Sequence, residues 1–185
     1  AKVDASGGAG GGEVLVGGDY LGKNPNVPNA KAVVMGSEAK ILADATINGD
    51  GGRVILWSDE YTGFYGNISA RGGTFGGDGG FIETSSKVNL QAFGSVSIDS
   101  PDGKAGLWLL DPGNISVELT SNGKATATSP FQPNAADATV ANTTINAALL
   151  TGNVTILTTD GPTAPATGIG QPGNITINAP ITSAA

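Results

Sequence analysis

The stretch GGFIETSSKVNLQAFGSVSID, residues 79–99, opens on a glycine pair and then alternates apolar and polar residues. Val88, Leu90 and Ala92 stand at every second position, as do Val96 and Ile98. A period of two places successive side chains on opposite faces of an extended chain, so each run predicts a short strand with one face inward. The glycines tolerate backbone conformations that other residues resist, and so mark the corners between strands.

Moving outward, the same alternation recurs at Val14 and Val16, Val54 and Leu56, Ile115 and Val117, Val154 and Ile156, and Ile175 and Ile177. Glycine pairs stand at 11–12, 17–18, 51–52, 72–73, 76–77 and 79–80. A five-residue theme of Gly-Asn-apolar-hydroxyl-apolar begins at 66, 113, 152 and 173, which are spaced by 47, 39 and 21 residues. These spacings suggest a unit of roughly 20 residues, inside the range of solenoid repeats. A unit that short cannot close its own core, but stacked units form parallel sheets with continuous apolar ladders between them.

The expected fold is therefore all-β: a right-handed parallel β-helix with coils of roughly 20 residues and one or two irregular loop insertions. Residues 1–120 read as regular coils, and 121–142, rich in Ala, Thr and Pro, as a loop or linker. Residues 143–185 read as further coils with a short helix near 144–150, opened by Thr144 and ended by Gly152. The segment YLGKNPNVPNA, 20–30, reads as an extended loop. Asn67, Asn114, Asn153 and Asn174 are expected to be structural corner residues, each bonding its own backbone or the asparagine of the next coil.

Composition narrows the chemistry. The chain of 185 residues has 30 glycines, 9 Lys+Arg against 16 Asp+Glu, no histidine and no cysteine. Without cysteine or histidine, disulfides, thiolate sites and the commonest general base and metal ligand are excluded. The net charge of −7 leaves no basic stripe for nucleic acid or anionic lipid. No run approaches the ~20 apolar residues of a membrane span, so membrane insertion is not expected. The start, AKVDASGG, lacks an initiator methionine and a hydrophobic signal region, and reads as a mature product or a piece of a longer one. No cofactor and no enzymatic activity are expected.

The carboxylates Asp59 and Glu60, or Asp99 and Asp102, offer the one acid/base reading, that of a β-helical polysaccharide-active enzyme. Adjacent carboxylates in a strand face opposite ways, which argues against the first pair. The glycine-rich 72–80 lacks the spacing of calcium-binding nonapeptides. Trp57, Tyr61, Tyr65 and Trp108 are expected to form a surface aromatic strip for sugars or a protein partner. Five Asn-x-Ser/Thr sequons begin at Asn67, Asn114, Asn142, Asn153 and Asn174, four of them at the repeated corner.

Four blocks, GGDYLGKNPNVPNAKAVVMG, GGRVILWSDEYTGFYGNISARGG, GGDGGFIETSSKVNLQAFG and LWLLDPGNISV, occur in that order. In them the chain resembles the shaft of bacterial two-partner secretion exoproteins, the filamentous haemagglutinin-like adhesins. That resemblance implies export through a dedicated outer-membrane pore partner of a Gram-negative cell, and folding outside it into a long β-helix. It also implies a secreted, cell-surface location and attachment to a receptor or glycan on a host or neighbouring cell. An uncapped β-helix exposes strand edges, so end-to-end stacking into an extracellular filament is the alternative expectation.

Overall fold

In the computed structural model, residues 1–119, 138–158 and 172–183 are described. The strands in chain order are β1 Lys2–Asp4, β2 Glu13–Val16, β3 Ala32–Met35, β4 Lys40–Leu42, β5 Arg53–Ser58, β6 Tyr61–Phe64, β7 Asn67–Ser69, β8 Phe81–Ser86 and β9 Asn89–Ala92. They continue with β10 Ser95–Ser97, β11 Leu107–Leu110, β12 Ile115–Glu118 and β13 Ala138–Ala141. The helix α1, Asn142–Ala148, precedes β14 Asn153–Ile156 and β15 Ile175–Ile177.

The strands make three parallel sheets, and from β1 to β12 the chain visits them in turn. Sheet one runs β1-β4-β7-β10, sheet two β14-β11-β8-β5-β2, and sheet three β15-β12-β13-β9-β6-β3. The result is a parallel, β-helix-like all-β fold with its core between the sheets. Val14, Val54, Ile82, Trp108 and Val154 line the inner face of sheet two, opposite Ile41, Ile68 and Val96 of sheet one and Phe64, Leu90 and Val140 of sheet three. Phe64 meets Trp108 edge to face across this core at 6.3 Å, a preferred aromatic geometry. At the corner between sheets two and three, Ser58 Oγ bonds Thr62 Oγ1 at 2.8 Å and donates to Ser86 Oγ at 3.2 Å. These buried hydroxyls satisfy one another, as burial requires.

The expected spacing of roughly 20 residues is not the pairing period. Ile41 lies against Ile68 and Ile68 against Val96, 27 and 28 residues on. Val54 against Ile82 and Thr62 against Leu90 give 28. The repeated Gly-Asn theme misleads because its copies begin strands in different sheets: Asn67 begins β7 of sheet one and Asn153 begins β14 of sheet two, while Asn114 and Asn174 precede β12 and β15 of sheet three. Their separations therefore mix whole passes with parts of a pass.

The expected linker 121–142 also needs correction at its end. Residues 120–137 lie outside the described residues, but Ala138–Ala141 form β13, which is inserted between β9 and β12. Ala138 and Val140 are fully buried there, so the Ala-rich run is small because it fills an interior position. The helix begins at Asn142 with Ala141 as its N-cap and no side-chain cap, while Thr144 is buried inside it. Ile145 and Ala148 join the core, where α1 packs beside β10. Among the described residues no helix is long and apolar enough to cross a membrane.

Candidate functional site: a glycine-floored groove and the loop beside it

The corners between sheets one and two build the most regular surface of the molecule. Each pass leaves sheet one, makes an excursion, and is braced on return: Gly12 N–H donates to Ala5 O, Gly52 to Ala43 O and Gly80 to Ala70 O at 2.7 Å, and Gly106 to Ile98 O at 2.8 Å. The next amide along then reaches the pass before it. Arg53, Phe81, Leu107 and Asn153 N–H donate to Gly12, Gly52, Gly80 and Gly106 O, each at 3.0 Å.

Close approach requires both glycines at 51–52 and 79–80, and it requires Gly11 and Gly106 as well. A Cβ on Gly52 would overlap Gly12 O, and one on Gly80 or Gly106 the carbonyl of the glycine below. A Cβ on Gly11, Gly51 or Gly79 would overlap Ala43, Ala70 or Ile98 O of the pass above. Stacked bare backbone leaves a groove of about 810 Å³ along the stacking direction, walled by Glu13, Arg53, Phe81 and Leu107 on one side and Asp50, Asp78 and Lys104 on the other. Asp50 Oδ1 accepts from Asp78 N–H at 2.7 Å, and Asp78 Oδ1 from Lys104 N–H at 2.8 Å, so the acidic wall is also a ladder between passes. The floor carbonyls are already taken by the next pass, which leaves side chains to recognise anything lying in the groove.

Beyond the groove, the outer face of sheet two lies against an Ω-loop. Residues 17–30 leave and return at one point, closed by Ala30 N–H to Gly17 O at 2.7 Å. Asp19 accepts from Tyr20 N–H at 2.6 Å, Asn24 Nδ2 at 2.7 Å and Arg53 Nη2 at 2.7 Å. These donors hold its carboxyl down at about 2. Arg53 also pairs with Glu13, so the groove wall and the loop share a cation. Tyr20 packs on the edge of Phe81 at 5.9 Å. The segment Asn24-Pro25-Asn26 serves this loop, with Asn26 N–H donating to Asn24 Oδ1 at 3.0 Å.

Under the loop, Ile55, Trp57, Glu83, Leu109 and Asp111 are buried although their parity turns them away from the core. Gly22, at φ +60, lies on the Trp57 ring edge where a Cβ would overlap Nε1. Leu21 has φ 54, the left-handed region that a branched side chain rarely adopts. Its N–H reaches Glu83 Oε1 at 3.2 Å and Oε2 at 3.3 Å. Burial pushes the Glu83 carboxyl up to about 7; hydrogen bonds from Ser85 and Leu21 pull the other way, Asp111 adds to the rise, and Arg53 opposes it. Burial also raises Asp111, against the pull of Lys23. Trp57 Nε1, Asn29 Oδ1 and Asp111 Oδ1 are buried without a partner.

No protein-family model and no curated protein matches this chain. The likeness to two-partner secretion adhesins therefore rests on the quoted sequence blocks.

The expected aromatic strip is not a surface feature. Trp108 is fully buried in the core and donates to Thr84 Oγ1 at 3.0 Å; its parity is that of Leu110, not the outward one. Trp57 lies beneath the Ω-loop. Tyr61 is buried on the outer face of sheet three, its hydroxyl 2.8 Å from that of half-buried Tyr65, which stacks on Phe93 at 6.3 Å. The four rings thus occupy three separate places: Trp108 by its inward parity in the core, Trp57 beneath the Ω-loop, and Tyr61 with Tyr65 on the outer face of sheet three.

The corner asparagines bond between passes, but not as one stack. Asn67 Nδ2 donates to Ser95 Oγ at 2.7 Å and Asn153 Nδ2 to Gly106 O at 3.2 Å, while Asn114 Oδ1 accepts from Asn174 N–H at 3.0 Å. Of the carboxylates, Asp59 pairs with Lys87 at 2.9 Å and Glu60 with Lys31 at 4.0 Å. Asp99 lies beside Arg71 and Asp44 at another corner, with Asp102 exposed nearby. Among the described residues no group of three His, Cys, Asp or Glu is placed to hold a metal. Asp50, Asp78, Lys104 and Glu83 were missed in the sequence; the recurrence of Asp directly before a glycine pair, at 50 and 78, is the signal that marks two of them.

Proposed function

We propose that this chain is a segment of a right-handed parallel β-helical shaft, exported through an outer-membrane pore partner, that mediates attachment at the bacterial cell surface. The supporting observation is the groove: each pass adds floor glycines, a pair in three passes and Gly106 in the fourth, and successive passes add wall residues in register, so the surface lengthens with the stack. Such a surface suits an extended receptor or glycan on a host or neighbouring cell, engaged without catalysis or cofactor. Protein-coated beads are expected to retain epithelial or bacterial cells, and the combined substitutions Asp50→Lys, Asp78→Lys and Lys104→Glu are expected to reduce retention several-fold. Retention no greater than on albumin-coated beads for every cell type sinks the reading.

End-to-end stacking into a filament is a second reading, favoured by apolar side chains near the outermost strands. Val3 and Val34 are 48% and 37% exposed in β1 and β3, and Ile175 and Ile177 are 46% and 60% exposed in β15. Exposed edges of this kind template further strands. Sedimentation velocity at rising concentration is expected to show growing species; a constant monomer ends this reading.

A further inference from the structure

The contact between the Ω-loop and Glu83 joins a strained backbone to a buried carboxyl that forms no ion pair among the described residues. Arg53, two residues before Ile55, the ladder partner of Glu83, is committed to Glu13 and Asp19. From β11, Leu109 faces Glu83 and Asp111 lies two residues further on, with Lys23 of the loop acting on Asp111. On β8 itself Ser85 is the hydrogen-bonding neighbour, and Lys87 beyond it is held by Asp59. Among the described residues, ionising Glu83 therefore places a negative charge in a dry site beside a second carboxyl, with the Leu21 and Ser85 donors and a distant, shared guanidinium to offset it.

We propose that the Ω-loop of residues 17–30 is a pH-sensitive latch whose closed state depends on a neutral Glu83, and whose release uncovers the outer face of sheet two from Phe81 to Trp57. Opening hydrates Glu83, relieves the left-handed Leu21, and gives Trp57 Nε1 and Asn29 Oδ1 access to water. It also separates Asp19 from Arg53 and Tyr20 from Phe81, so both groove-wall residues change their surroundings. The groove is thereby extended toward Trp57 as the pH rises. This goes beyond the attachment reading and stands without it, because it concerns a motion of the chain alone.

A carboxyl bound more tightly to its proton in the closed state makes opening more favourable as the pH rises from 4.5, its ordinary value, to about 7, and constant above that. Hydrogen exchange tests this directly. Protection of the Leu21 amide, divided by the intrinsic peptide rate at each pH, is expected to fall roughly 50–100-fold between about pH 5 and pH 8. In Glu83→Gln it is expected to vary less than about threefold over the same range, while the Ile55 and Leu109 amides stay protected in both proteins. A flat Leu21 profile in the native protein, or the same slope in Glu83→Gln, overturns the latch. Should Glu83→Gln fail to fold, acrylamide quenching of the native protein decides: one of the two tryptophans becomes quenchable with rising pH if the latch opens, and neither does if it stays closed.

Discussion

Leu21 and Glu83 lie 62 positions apart in the chain, yet the backbone N–H of Leu21 reaches both carboxylate oxygens of Glu83, at 3.2 and 3.3 Å. The contact ties an irregular loop to the middle strand of sheet two and determines the environment of a residue that an alternating strand turns outward. Because the folded state raises this carboxyl from 4.5 to about 7, it binds the proton more tightly than the unfolded chain does. Its contribution is therefore complete below pH 4.5, is lost as the pH rises toward 7, and is constant above. The loss is on the order of 3 kcal/mol at most. Glu83→Gln is expected to flatten the fall in urea midpoint between pH 5 and pH 8. Asp19 acts in the opposite sense, since its carboxyl is held at about 2 and its contribution disappears only in strong acid.

The glycine floor predicts a sharp contrast between two alanine substitutions. Gly80→Ala drives a methyl into Gly52 O, a backbone atom that cannot turn aside, and is expected to cost about 3 kcal/mol or more. At Gly36 an added Cβ meets nothing within 4 Å, and Gly36→Ala is expected to stay within about 0.5 kcal/mol of neutral. Chemical denaturation of both variants checks this; equal effects would mean that the stacked floor does not constrain the fold.

The two tryptophans are expected to respond differently to phenylalanine. Trp108 Nε1 donates to Thr84 Oγ1 at 3.0 Å inside the core, so Trp108→Phe removes volume and leaves a buried hydroxyl short of its donor, at about 2–3 kcal/mol. Trp57 Nε1 has no partner. Trp57→Phe removes an unsatisfied donor along with its volume and is expected to cost about 1 kcal/mol or less. Thermal melts at one pH rank them; a costlier Trp57→Phe contradicts the described packing.

Asp44 predicts how much one corner carboxylate contributes. Its Oδ1 accepts from Ser69 Oγ at 2.6 Å and Arg71 N–H at 2.7 Å, and its Oδ2 from Arg71 Nη2 at 3.3 Å. Asp44→Ala leaves a buried hydroxyl and a backbone amide without an acceptor and is expected to cost about 2 kcal/mol. Asp44→Asn, which keeps one acceptor oxygen, is expected to recover part of that loss in the same denaturation assay.

Much of the architecture was legible locally. Alternation at Val54 and Leu56, at Leu90 and Ala92 and at Ile115 and Val117 located strands with one inward face, and the glycine pairs located corners. The candidate site was less legible. Asp50 and Asp78 precede glycine pairs visibly enough, but nothing near Lys104 shows that it shares their wall, and Glu83 reads as an ordinary outward residue of an alternating strand. Its burial comes from residues 17–30, far away in sequence.

By itself, the sequence determined that this chain builds short strands, glycine corners and parallel stacking without cysteine or histidine chemistry, because period-two alternation and backbone crowding act between near neighbours. Only the tertiary structure decided the spacing of 27 and 28 residues from Ile41 to Ile68 to Val96, the insertion of β13 between β9 and β12, and the burial of Trp57 and Glu83. The physical reason is that register depends on the length of whole excursions between strands. Which outward face stays wet depends on which loop returns to lie on it, and both are settled only when distant segments pack.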